Sequence, residues 1–158
     1  MRANGLLFTA LALMILGILG LVVIGSGVLP ATQRPGNTPA ARGEWIFRTG
    51  TDLQGGAIPY TGGMMMRQSC ADCHGIDGQG LVTPMFVSPN ITYRNLTNPE
   101  GMLEPDGSHG HTYTDALINR AITEGIDAEG KPLNWIMPRW DLTDQELDDL
   151  LAYLKTLR

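Results

Sequence analysis

From Gly5 to Leu29 no position is charged, and Leu, Ile, Val, Ala and Gly dominate the run. Wound as a helix it would extend about 37 Å, enough to cross a hydrocarbon layer about 30 Å thick. The apolar region outruns the roughly 7–15 residues usual in a secretory signal, and no small-residue cleavage pattern clearly follows it. The expectation is an uncleaved single-span anchor over residues 1–29. No cysteine stands near it to accept a lipid. Residues 30–42 (PATQRPGNTPAAR) hold three prolines and no apolar periodicity. They read as an extended, semi-rigid linker reaching about 40 Å.

From residue 43 onward the pattern is that of a small helical domain, 43–158. The clearest element is the last. Thr143 stands as N-cap with Glu146 at N3, and Leu147, Leu150, Leu151 and Leu154 then recur at helical spacing to give one apolar face. Thr112–Glu124 reads as another helix, with Asp115 at the capping-box position and Gly125 closing it. Gly43–Arg48 reads as a short helix and Met64–His74 as a helix or helical turn. Gly50–Gly63 is a glycine-rich loop. Gly75–His111 is long and irregular, punctuated by Pro84, Pro89, Pro99 and Pro105. No stretch alternates well enough for a strand, so the predicted class is all-α. A loop of about 35 residues in a domain of about 115 calls for something besides its own side chains to pack around.

Charge narrows the functional classes. The chain has 11 Lys+Arg against 16 Asp+Glu, a net charge of −5. Residues 1–42 carry three arginines and no acid, so the domain itself is more acidic still. That excludes a nucleic-acid binder, which needs a basic face to displace counterions. Two cysteines exclude a disulfide scaffold. Arg2 before the apolar run and Arg34 and Arg42 after it do not orient the span; by count they slightly favour the opposite of the orientation adopted below.

The two cysteines stand in Cys70-Ala71-Asp72-Cys73-His74. Two thiols three residues apart on a helical turn can add to the two vinyl groups along one edge of a haem, while the adjacent imidazole binds the iron; this string is read as c-type haem attachment. A thioredoxin-like site would need a βαβ context, and a zinc site would need two further ligands. His109 and His111 are too close together for the usual zinc spacing, and they read as solvated loop residues.

With this motif, the chain resembles the class I (monohaem) cytochromes c over residues 43–158. The likeness rests on Cys70-Ala71-Asp72-Cys73-His74-Gly75, on Ile136-Met137-Pro138-Arg139-Trp140, and on the closing helix from Thr143 through Leu154. It implies an all-α shell around one covalent haem c, attached through Cys70 and Cys73, with His74 and Met137 as axial ligands. It implies too that the first and last helices cross through a glycine and aromatics, for which Gly43, Phe47, Tyr153 and Leu154 are the matches. Met102 is the fallback ligand. Met64, Met65 and Met66 precede Cys70 too closely to reach the far face of a haem and read as packing. A carbonyl acceptor should orient His74, and Pro89 resembles the family proline for this role, with Pro84 as competitor. Arg139, Trp140 and Trp135 are candidates to cover the haem or bond its propionates.

The resemblance implies a membrane-anchored electron-transfer cytochrome. It would carry single electrons between a quinol-oxidising complex and an oxidase, soluble carrier or reaction centre, as a fixed subunit among integral membrane partners rather than a tethered shuttle. Gly17, Gly20, Gly25 and Gly27 offer small surfaces for helix packing. Haem is attached outside the cytoplasm in this family, so the N-terminus should be cytoplasmic and the haem domain periplasmic. The alternatives are a ligand-binding sensor or peroxidase-like enzyme, should the methionine not bind, and a subunit whose haem only stabilises the fold. The acidic cluster Asp141, Asp144, Glu146, Asp148 and Asp149 reads as a solvated face or a dock for a basic partner. Asn90-Ile91-Thr92 and Asn95-Leu96-Thr97 match glycosylation sequons and read as loop chemistry.

Overall fold

The computed structural model describes residues 13–14, 35–65 and 69–158. The expected span lies outside the described residues apart from Leu13 and Met14, which are helical and exposed. Among the described residues no helix is long and apolar enough to cross a membrane.

Helix α1 runs Pro39–Thr49. Thr38 caps it by accepting from the Ala41 N–H at 3.2 Å, and Pro39 occupies the first turn, where its missing donor costs nothing. Gly50 ends it in the left-handed conformation, φ 64°. The helix is longer than the predicted Gly43–Arg48 and starts inside the stretch read as linker. The reason is the cap and Pro39, which are start signals in a segment whose other prolines read as extended. The compact unit in turn begins at Pro35.

α1 buries Gly43, Ile46 and Phe47, one face at helical spacing, against the C-terminal helix. At the crossing a Cβ on Gly43 would stand 1.9 Å from the Asp149 carbonyl oxygen, so only glycine lets the two backbones meet. Phe47 stacks on Tyr153 at 5.2 Å between centroids. Each large apolar side chain fully buried here contributes about 1.5–3 kcal/mol. Asp149, expected on a solvated face, is 1% exposed. Its carboxylate accepts from the Arg42 guanidinium in a bidentate pair, both distances 2.6 Å, and from Gln145 at 3.1 Å. Asp141, Asp144 and Asp148 are exposed.

Between these helices lie β1 (Tyr60–Thr61), α2 (Cys70–His74), α3 (Tyr93–Leu96), α4 (Asp115–Glu124) and β2 (Arg139–Trp140); α5 is Asp144–Leu154. α5 has the predicted capping box, Thr143 with Glu146. α4 starts at Asp115 rather than Thr112 because Thr114 is the N-cap, its hydroxyl accepting from Leu117 N–H; Gly125 closes it as expected. α2 starts at Cys70 rather than Met64, since Ser69 caps it. α3 interrupts the stretch read as wholly irregular. The strands also depart from the all-α reading. β1 and β2 pair antiparallel, Tyr60 with Trp140 and Thr61 with Arg139. Two residues each are too few for alternation to show, and tertiary approach creates the ladder, with the Tyr60 and Trp140 rings 4.9 Å apart.

Candidate functional site

Helix α2 has five residues and holds by its ends rather than by its own propensity. Ser69 Oγ accepts from the Asp72 N–H at 3.2 Å, Asp72 Oδ2 accepts from the Ser69 N–H at 3.0 Å, and the Gly75 N–H donates to the Ala71 carbonyl at 3.0 Å. This single turn places Cys70, Cys73 and His74 in the wall of one cavity. His74 is 6% exposed, with Nδ1 3.0 Å from the Pro89 carbonyl oxygen. A carbonyl only accepts, so Nδ1 carries the hydrogen and the lone pair is left on Nε2. Burial holds the His74 pKa below the ordinary imidazole value, partly offset by the Pro89 bond. The ring is therefore the neutral form that ligates metal. The Cys70 thiol faces the cavity, where burial pushes its pKa up to about 12. That is the reverse of the depressed pKa of a redox dithiol.

The loop after α2 delivers Pro89. The Gly80 N–H donates to the His74 carbonyl at 2.9 Å, and the Ser88 N–H to the Leu81 carbonyl at 2.9 Å. Ser88 Oγ accepts from Leu81 N–H at 2.8 Å and donates to the Cys73 carbonyl. Gly80 sits at φ 87°, and a Cβ there would come 2.4 Å from the Ser88 oxygen and 2.9 Å from Pro89. Ser88 and Gly80 were not singled out from sequence. A glycine pair, Gly78 and Gly80, inside a loop was the only available signal. Pro84, the competitor for Pro89, is exposed and lies outside the cavity lining.

The remaining lining is apolar apart from Asn134 and comes from distant elements, including Phe47 of α1, Ile118 and Ile122 of α4, Trp140 of β2 and Leu150 of α5. Two methionines reach it. Met137 is half-buried, and Met102 is 5% exposed. Met65 and Met85 are exposed, Met64 does not line the cavity, and Met66 lies outside the described residues. Trp140 is 4% exposed and lines the cavity, whereas Trp135 is exposed and does not.

Arg139 does not line the cavity either. Its guanidinium donates to the backbone carbonyls of Leu133 (2.9 Å), Asn134 (3.2 Å) and Met137 (2.5 Å). His109 and His111 are exposed, the first 3.2 Å from the Gly101 carbonyl and the second 3.0 Å from Glu129. Among the described residues no group of three or more His, Cys, Asp or Glu could hold a metal ion. The sequon asparagines are spent within their loop, Asn90 on Thr92 and Gln79, Asn95 on the Asn90 and Leu103 backbones.

An apolar cavity walled by two thiols, a neutral imidazole with one nitrogen free and two thioethers fits a porphyrin linked through sulfur and ligated by nitrogen and sulfur. That donor set inside a helical shell defines a protein that binds haem covalently. The Cytochrome c family model matches residues 61–158, well over half of the chain, and the chain belongs to that family. The protein accordingly binds covalent haem c, with Cys70, Cys73 and His74 fitting its attachment. Its domain is of the electron-transfer class, whose members are generally carriers. No curated protein and no solved structure matches the chain.

Proposed function

We propose that the protein is a membrane-anchored monohaem cytochrome, with His74 and Met137 as axial ligands, that passes single electrons from a quinol-oxidising complex to a downstream oxidase, carrier or reaction centre. The observation that carries the ligand pair is that His74, with Nε2 free, and Met137 wall the same apolar cavity as both cysteines. The haem iron supplies one-electron oxidation and reduction when bound. His74 contributes an oriented imidazole, and Met137 a soft thioether that favours the ferrous state and raises the potential. Two ligands leave no open coordination position, which disfavours small-molecule catalysis. Met137 is preferred to Met102 because it lies directly ahead of the closing helix, in the position that the family resemblance implies.

The anchor reading rests on the uncharged run from Gly5 to Leu29. It carries with it an N-terminus in the cytoplasm, a periplasmic haem domain and a fixed place among integral membrane subunits. The test uses the full-length holoprotein in mild detergent. The oxidised protein should show a thioether-to-iron charge-transfer band, lost in Met137→Ala and kept in Met102→Ala. A band that survives in Met137→Ala and vanishes in Met102→Ala moves the ligand to Met102. A wild-type protein without the band that binds carbon monoxide rapidly is a sensor or peroxidase-like enzyme instead. Quinol reduction of the haem by whatever co-purifies tests the donor.

A further inference from the structure

We infer that Arg139 is a positioning residue for Met137, a side chain that fixes the backbone from which the thioether reaches the cavity. The inference rests on the reading of Met137 as ligand. The segment Leu133–Pro138 contains no helix or strand, and its backbone must be held by something else. One guanidinium holds both ends of it, donating to the Leu133, Asn134 and Met137 carbonyls. Among the described residues Arg139 has no carboxylate partner within ion-pair distance, and its guanidinium donates to these carbonyls.

Arg139 itself is fixed from two directions. Its backbone pairs with Thr61 in the β1–β2 ladder. Its guanidinium lies over Gly125, where a Cβ would come 2.1 Å from Nε. Gly125 thus does two things: it ends α4 in the left-handed conformation and leaves bare backbone where the guanidinium sits. The residue type follows from the geometry. A planar fork with five donors can span carbonyls on both sides of a turn, whereas an ammonium is a single point. A thioether holds iron weakly compared with an imidazole, so a loosened turn should show first as easier replacement of Met137.

The test is imidazole affinity of the oxidised full-length holoprotein, read from the absorption spectrum. Arg139→Lys keeps the charge and loses the fork. It should bind imidazole about 10–100-fold more tightly than wild type, as expected when a ligand's support is removed, with a weakened charge-transfer band. Gly125→Ala leaves Arg139 in place and displaces its guanidinium. It should shift affinity in the same direction, and it covers the case in which Arg139→Lys fails to accumulate. Asp149→Asn, which loosens the fold elsewhere, should leave the affinity unchanged. Wild-type affinity in both Arg139→Lys and Gly125→Ala, with tight binding in Met137→Ala, overturns the inference alone. Wild-type affinity in Met137→Ala overturns the ligand reading and this inference together.

Discussion

Cys70, Cys73 and His74 are held by their neighbours in sequence. The Ser69–Asp72 box, the Gly80 turn and the Ser88 and Pro89 contacts all lie within one stretch, and the longest of these bonds spans 15 residues. Met137 is held in part from afar, through Thr61 and Gly63. Its turn hangs on an arginine that pairs with Thr61 and rests on Gly125, while Gly63 N–H donates to the Trp135 carbonyl at 2.8 Å. The side that bears the covalent attachment is therefore assembled by short loop closures, which cost little chain entropy. The side that bears the weaker ligand depends on the finished fold. Damage to the Arg139, Gly125 or Thr61 support should loosen Met137 well before it disturbs His74.

The sharpest way to break this contrast is Gly80→Ala. A left-handed backbone forced on alanine costs about 1–3 kcal/mol before any collision, and the new Cβ would press on Ser88 and Pro89. A large fall in the urea midpoint is expected, with altered His74 ligation in the paramagnetic NMR spectrum. An unchanged midpoint would show that the loop adjusts freely and that the short-range side is not as rigid as described. Ser69→Ala is gentler, about 1 kcal/mol for a lost cap. It should lower the yield of covalently attached haem and leave imidazole affinity alone. Were it to raise that affinity as much as Arg139→Lys, the two sides would not be independent.

The smallest effect serves as a control, because it strikes neither side. Asp115 accepts from Lys155 and from the Tyr93 hydroxyl, both at 2.8 Å. Lys155 foremost, then Tyr93, holds its pKa below the usual 3.8. The unfolded chain thus takes up a proton at a pH where the folded one does not. The contribution is present above the ordinary carboxylate value and lost as pH falls through the lower folded value. Exposure and screening keep it at about 0.2–1 kcal/mol. Lys155→Gln should flatten the acid limb of a stability–pH curve by that amount and change nothing at pH 7 in the haem spectrum.

The same division explains what could be read from sequence. The capping box of α5 and the glycine closing α4 depend on residues whose spacing is itself the signal, whereas the packing of Gly43 and Phe47 on the last helix and the approach of Pro89 to His74 were legible only through the family resemblance. Asp149 could not be read so. A carboxylate among three other acids on a helix looks solvated until Arg42 is brought to it across the crossing. Arg139 looked like a propionate partner because it sits beside Met137 and Trp140. Its guanidinium also donates to the Leu133, Asn134 and Met137 carbonyls, and backbone acceptors leave no trace in residue identity. The β1–β2 ladder is invisible for a related reason, since two residues cannot display a period.

The junction of Gly43 with Asp149 also bears on how the chain is made. Arg42 and Asp149 are 107 residues apart, and α1 lacks its main packing partner until the last helix exists. The crossing that closes the shell therefore needs most of the chain's length, whereas the Ser69–His74 turn closes within six residues.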